Sequence, residues 1–318
     1  MKHSAIYSII IPTYNRERVL CETLSSLLKN IRTCGESFEV IVVDQTKQHE
    51  DATISFLKKL AEENKIILIK EELASLPNAR NIGIKASSGS FILFFDDDVL
   101  FQEGCLKSYV NLFQKTDYDS IVGKVTLVHS SPEGNILLKA NNPFKAKLKK
   151  FLSKLLGSNG FVITFWGSIL NTLDAGKRGS VDGGMGCNMA FRRSVFEKNG
   201  YFDVNYRGNA LREESDVFVR MKRKKMKIFY EPSAHIFHVM SNNGGCRSSQ
   251  NLDYWKTYFF NQSYFYIKNF NFSLAWIKCL LFFDIIACKK QHIDIAKVTK
   301  DSYSDAKAIV SQKNTGNY

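Results

Sequence analysis

The chain of 318 residues is long enough for one large α/β domain with an appended piece, or for two modest domains. With 44% hydrophobic residues it can fill a core, which excludes global disorder. The formal charge of +13 favours a polyanionic partner (a phosphorylated substrate, an anionic membrane face or nucleic acid) without choosing among them.

Residues 6–11 (IYSIII) form an apolar run that stops at Pro12, too short for a signal peptide or a membrane anchor. The seven cysteines are odd in number and contain no CxxC pair, which argues against a disulfide framework or structural zinc. The expectation is a cytoplasmic protein with reduced thiols. A helix follows from about Arg18 to Asn30, with Leu20, Leu24, Leu27 and Leu28 on one face. FEVIVVD (38–44) reads as a strand, residues 52–64 as a helix, KIILIK (65–70) as a strand, NARNIGIKAS (78–87) as a helix, and SFILFFDDD (90–98) as a strand.

Strands that are apolar on both faces and alternate with helices predict a mostly parallel sheet covered on both sides. Ligands of such sheets sit beyond the carboxyl ends of the strands. Three polar groups lie there: Pro12–Arg16, Asp44 and Asp96–Asp98.

Further along, SIVGKVTLV (120–128) and GFVITFW (160–166) read as strands. Residues 182–203 read as a Gly-rich turn, a short strand and a helix ending near Gly200. Residues 207–227 are a loop leading into a helix, and 228–239 a strand followed by a loop. From about residue 250 the chain is helical and aromatic.

Asp96, Asp97 and Asp98 end abruptly a strand as apolar as FILFF. Like charges ~4 Å apart cost about 4 kcal/mol per pair at an effective dielectric of 20. A hard divalent cation, Mn²⁺ or Mg²⁺, removes that cost and can hold phosphates. The alternative is a solvated turn whose acids cap the next helix. No GxGxxG follows the first strand and no GxxxxGK[ST] occurs, so neither dinucleotide nor P-loop chemistry is supported.

SIIIPTYNR, EVIVVDQT and LPNARNIGIKASSGSFILFFDDD, then GCNMAFRRSVFEKNGYFD, EESDVFVR and YEPSAHIFH, resemble in order and spacing the family 2 glycosyltransferases of GT-A fold. The six blocks run from about residue 8 to 240. The resemblance implies a Rossmann-type three-layer sandwich over 1–240, with a nucleotide-sugar-binding half (1–125) and an acceptor and catalytic half (126–240). A helical C-terminal extension (241–318) follows.

It also implies roles. Pro12, Thr13, Tyr14 and Asn15 wall the base and ribose pocket, and Asp44 bonds the base edge. Arg80 reaches the nucleotide or its phosphates. Asp96 contacts ribose or metal, Asp97 belongs to the donor-binding group, and Asp98 coordinates the cation. Glu214 stands where the family usually has an aspartate base, with Glu213 in reserve. His238 completes the metal site, with His235 as the nearby alternative. Gly183, Gly184, Gly186 and Asn188 line the acceptor side. The acids of EESD also suit a helix N-terminus, a placement worth about 0.3–1 kcal/mol per charge without any catalysis.

FKAKLKKFLSKLL (144–156) has the pattern of a basic amphipathic helix, fit to lie on an anionic bilayer or to pack on its own domain. FSLAWIKCLLFFDIIAC (272–288) carries Lys278 and Asp284 and falls short of a span, so it reads as a buried or interfacial helix. The combined expectation is a metal-dependent inverting transferase. It would move a sugar from a nucleotide-diphospho-sugar, UDP by resemblance, to a hydroxyl of a glycan or lipid-linked acceptor in cell-surface polysaccharide synthesis. Peripheral contact with an anionic membrane on its cytoplasmic side is expected, and no nucleic acid. The rivals are a nucleotidyltransferase, and a weakly active basic protein that binds membrane or nucleic acid on the same scaffold.

Overall fold

Seven buried residues in a row, Tyr7–Thr13, make the central strand β1. In the computed structural model, which describes residues 7–130, 136–138, 161–164, 169–171, 177–239, 252–282, 284–285 and 294–314, this strand has parallel neighbours on both sides. β2 (Phe38–Asp44) and then β3 (Ile67–Lys70) lie on one side, and β4 (Phe91–Phe95) on the other. Alternate side chains feed opposite layers, as strand geometry requires. Ile9, Ile11, Leu93 and Phe95 pack with α1 (Arg18–Cys34), α2 (Asp51–Glu62) and α4 (Cys105–Lys115). Ile10, Ile92 and Phe94 face α3 (Leu76–Ala86), α5 (Ser194–Asn199) and α6 (Glu213–Arg223). The expected three-layer α/β sandwich is present.

Beyond β4 the sheet continues through β11 (Asn188–Arg192), antiparallel to both neighbours, to β6 (Ser120–Ser130) and β12 (Ile228–Val239). β12 runs parallel to β6, so β11 is the reversed member of this central run. The short strands β7 (Ile136–Leu138), β8 (Phe161–Ile163) and β10 (Gly179–Ser180) pair with β6, β9 (Ile169–Asn171) and β12 respectively.

Two local expectations are corrected. Strand β4 ends at Phe95, and Asp96–Asp98 form a turn into a further short strand, β5 (Val99–Phe101). Residues 228–239 form one strand rather than a strand and a loop. Pro232 falls within a register shift between Glu231 and His235, where a missing N–H costs no ladder bond. Helix α4 carries no expectation from the sequence, although its buried face (Leu106, Tyr109, Val110, Phe113) has helical spacing.

The C-terminal part is helical, with α7 (Leu252–Phe270), α8 (Leu274–Leu280) and α9 (Ile295–Asn314). Trp255, Phe259, Phe260, Tyr264 and Phe265 of α7 share a core with Val217 and Phe218 of α6. Each such side chain, fully buried, contributes about 1.5–3 kcal/mol. The basic segment 144–156 lies outside the described residues. No helix among them is long and apolar enough to cross a membrane. Trp276 and Phe282 are 44% and 56% exposed.

Asp203, between α5 and α6, ties the C-terminal helices to the sandwich. It accepts from Lys268 at 2.7 Å, Tyr264 Oη at 2.8 Å and Lys313 at 2.9 Å. Burial works against its ionisation, yet Lys268, Lys313 and the Asn205 N–H hold its carboxyl far below the usual 3.8. The folded state thus binds this proton less tightly than the unfolded chain. The stabilisation is full above the unfolded value and is lost as pH falls below it. Asp203→Asn should therefore cost about 2 kcal/mol at pH 7. The gap from the parent should narrow below about pH 4 in urea unfolding series.

Candidate active site

The parallel register builds the site. Thr13 pairs with Asp44 across β1 and β2, and Ile10 with Phe94 across β1 and β4. Continuing the second register by three residues puts Thr13 level with Asp97. There Thr13 Oγ1 donates to Asp97 Oδ2 at 2.7 Å. The chain then turns through Asn15, whose φ of 51° asparagine tolerates, and its N–H donates to Thr46 Oγ1 at 2.8 Å.

His238 arrives by a separate pairing. β5 starts directly after the acids and pairs antiparallel with the end of β12, setting His238 opposite Val99. The Val239 N–H donates to the Asp98 carbonyl at 2.8 Å, and His238 Nε2 lies 2.8 Å from Asp98 Oδ1. Asp96, Asp98 and His238 can each bring one ligand atom within 4.8 Å of the others. Two carboxylates and an imidazole at a partly open rim fit a divalent cation such as Mn²⁺.

Protein cations meet the same acids. Arg16, 3% exposed, spans Asp98 at 2.8 Å and Asp97 at 3.3 Å. Arg80 lies 3.4 Å from Asp96, donates to the Gly186 carbonyl at 3.1 Å, and pairs with Glu213. Burial and the neighbouring Asp98 push the Asp97 carboxyl up to about 7, against the pull of Arg16 and Thr13. Burial opposes charge on the His238 ring, but Cys187 and Asp98 beside it raise its pKa to about 11.

A cleft of 260 Å³ opens over this rim, walled by Pro12, Thr13, Tyr14, Gln45, Leu76 and Asn209 besides the three acids, Arg16 and His238. A larger cavity of 710 Å³ lies between α7 and α9 and contains none of the acid cluster. The three strand-end acids, Arg16 and His238 converge on the smaller one, which is therefore the candidate site.

Glu213 and Glu214 open α6 from Arg212, a residue in the left-handed region at φ 80°. Glu213 is 2% exposed and turned onto Arg80. Glu214 is partly exposed. Desolvation raises its carboxyl above the usual range, Arg80 and Arg212 oppose the rise, and Asp96 adds to it.

Several expected residues stand elsewhere. Asp44 is fully buried one strand away, held by His49 at 3.0 Å, Lys70 and the Thr46 N–H. Burial opposes its charge, and these donors bring its carboxyl below the usual value. Asn188 is also fully buried. It donates to the Lys124 and Ala234 carbonyls and accepts from Tyr109, so its amide braces three strands instead of facing a ligand. Gly183 and Gly184 let their loop lie on Phe218 and Val122, where added Cβ atoms would come within 2.8 and 2.5 Å. Gly186 touches the site through Arg80. His235 binds Thr126 Oγ1 at 2.8 Å and Gln102, away from the acids.

Residues 8–200 match the family described as Glycosyl transferase family 2. The chain belongs to that family. Among family 2 relatives, it is 29% identical over 117 residues to the poly(ribitol-phosphate) beta-N-acetylglucosaminyltransferase TarP of Staphylococcus aureus (strain N315), covering 37% of this chain and 36% of that protein. It is 32% identical over 138 residues to the poly(ribitol-phosphate) beta-glucosyltransferase of Bacillus spizizenii (strain ATCC 23059 / NRRL B-14472 / W23), covering 43% of this chain and 22% of the other. The chain thus spans well under half the length of these curated relatives.

In fold it is similar to the crystal structure of S. aureus TarS 1-349 in complex with UDP-GlcNAc, with a TM-score of 0.53, 18% identity, and 86% and 70% of the two chains covered. The crystal structure of GalNAc-T7 with UDP, GalNAc and Mn²⁺ gives a TM-score of 0.59, 15% identity, and coverage of 100% and 59%. Both likenesses concern the GT-A fold.

The family 2 motifs name the acids, Arg80 and His238, but give no role to Arg16, Lys70, His49 or Cys187. Arg16 closes the Pro12–Arg16 strand end, and the parallel pairing of β1 with β4 sets that end beside the three aspartates, so the strand order is its signal. Lys70 pairs with Asp44 in the β2/β3 register, so the strand pattern places it. His49 and Cys187 carry no such signal, because loop and bulge geometry bring them in. Since Glu213 neutralises buried Arg80, Glu213→Gln should destabilise the fold by about 3 kcal/mol. Urea unfolding checks this, and Glu214→Gln should cost far less.

Proposed function

We propose that this chain transfers a sugar, with inversion, from a nucleotide-diphospho-sugar to a hydroxyl of a glycan or lipid-linked acceptor. The convergence of Asp96, Asp98 and His238 on one cleft, whose wall includes Asn209 from the loop that leads into α6, carries this reading. The named activities of the poly(ribitol-phosphate) relatives support a role in cell-surface polysaccharide synthesis. The UDP-GlcNAc complex of TarS supports a UDP-sugar donor.

Pro12, Thr13, Tyr14 and Asn15 are assigned to the nucleoside, and Asp44 to fixing the base pocket from behind. Arg80, shared between Asp96 and Glu213, links the donor acids to α6. A divalent cation held by Asp96, Asp98 and His238 would stabilise the charge that grows on the departing diphosphate. Binding it requires His238 to give up its proton and Arg16 to share Asp98.

Glu214 is the general base. Its carboxylate takes the proton of the acceptor hydroxyl as that oxygen bonds to the anomeric carbon. The bond from that carbon to the diphosphate oxygen breaks, and the electron pair leaves with the nucleoside diphosphate. A carboxyl raised above its usual range is the stronger proton acceptor, which suits the role. Glu213, already paired with Arg80, positions that cation.

A panel of nucleotide sugars with Mn²⁺, read as nucleoside diphosphate release, tests the assignment. Asp98→Asn and Glu214→Gln should each lose about 100-fold or more in turnover. Glu214→Gln should still bind donor. Full turnover in that variant removes Glu214 as base, and pyrophosphate as the product would instead indicate a nucleotidyltransferase.

Peripheral membrane contact belongs to the same proposal. It is supported by exposed Trp276 and Phe282 and by the net charge of +13. Sedimentation with anionic liposomes at low salt should deplete the protein, and Trp276→Ser should weaken this. Equal recovery in the supernatant with and without vesicles removes the contact.

A further inference from the structure

The loop that leads into Glu214 carries backbone strain. Between Asp203 and α6 three residues adopt left-handed φ angles: Gly208 at 54°, Ala210 at 50° and Arg212 at 80°. Two of them carry side chains and are costly there, and such residues persist only where their surroundings over-determine them. Arg212 directly precedes Glu213 and Glu214, so its backbone sets the direction in which α6 starts.

The surroundings are supplied by one face of α7. Asn261, fully buried, grips the main chain of Arg207 from both sides, accepting its N–H at 2.9 Å and donating to its carbonyl at 2.8 Å. Gln262 accepts from Arg212 Nε at 3.0 Å. Two helical turns on, Lys268 lies 2.8 Å from Asp216, within the first turn of α6, and Asn269 donates to the same carboxylate at 2.9 Å. Positions 261, 262, 268 and 269 repeat at the seven- and eight-residue spacing that keeps side chains on one side of a helix. Asn261, Gln262 and Asn269 are buried polar residues on a helix whose other buried side chains are mostly aromatic. For core packing alone, apolar side chains would serve.

We infer that α7 is a positioning frame for the base. Asn261, Gln262, Lys268 and Asn269 hold the strained loop and the first turn of α6, so that Glu214 meets the acceptor hydroxyl at the donor cleft. These four are positioning residues and touch no substrate. The inference rests on the reading of Glu214 as base, and the experiment separates the two.

Asn261→Ala and Lys268→Met, with Lys268→Arg as the conservative control, are compared with the parent chain. Hydrogen exchange is measured first and needs no donor. In Asn261→Ala, amides of 205–216 should exchange about tenfold faster, while those of β1 and β4 keep their protection. Turnover per folded molecule is then measured with whichever nucleotide sugar releases diphosphate fastest. Both variants should lose about 10- to 100-fold in kcat, with donor KM within about twofold, and Lys268→Arg should recover most of the loss. Lys268→Met carries the test if Asn261→Ala fails to fold.

In a Glu214→Gln background, Asn261→Ala should reduce residual turnover no further, since there is no base left to position. A purely architectural role would make the losses multiply. Multiplying losses, or a kcat within twofold of the parent in both variants, overturns the inference. Should Glu214→Gln itself keep full turnover, the base reading fails. The positioning of α6 is then decided by exchange and kcat alone, with unchanged exchange at 205–216 overturning it.

Discussion

Everything at the rim of the sheet depends on how three adjacent carboxylates are made tolerable where an apolar strand ends. Asp97 and Asp98 are almost wholly buried, and water cannot screen them. Arg16 lies between them, His238 closes on Asp98, and Arg80 meets Asp96 from the other side. These cations come from three separate elements: the loop after β1, the end of β12, and α3. Compensating the acids therefore draws the two halves of the sandwich together. It also leaves two carboxylates and an imidazole facing one cleft, a donor set that fits a divalent cation.

Arg80 extends this dependence into α6. Its guanidinium is 1% exposed and touches Asp96, Glu213 and the Gly186 carbonyl, over the faces of Phe94 and Phe202. A buried cation of this kind is stable only while its anions stay in place. Asp96, α6 and the glycine loop thus form one electrostatic unit, with Glu214 at its partly open edge. Glu213, the more buried of the two glutamates, is occupied by that unit.

The C-terminal helices are joined to the same unit by polar contacts rather than by aromatic packing alone. Asp203 and Asp216 accept from Lys268, and Asp203 from Lys313, so residues more than 50 positions downstream bear on the loop that introduces α6. The expected extension shares a core with the second layer of the sandwich.

The strands β1 to β4, the sheet's parallel sense, the acidic strand end and the family could all be read from the sequence. The buried strands β1, β2 and β4 are recorded as unbroken apolar runs, and a colinear set of motifs survives in one dimension. Pairing among carboxylates and cations could not be read this way, because it depends on register and on bulges. The shift at Pro232 turns an expected loop into the strand that brings His238 to Asp98. It also leaves His235 on Thr126 and Gln102. The family resemblance assigns ligand contacts to Asp44 and Asn188, and the structure adds that both side chains are engaged in internal hydrogen bonds. By itself the sequence determined which elements form and which charges must find partners, since those follow from local pattern and desolvation. Tertiary structure alone decided which charge meets which, because that is a matter of a few ångströms between segments far apart in the chain.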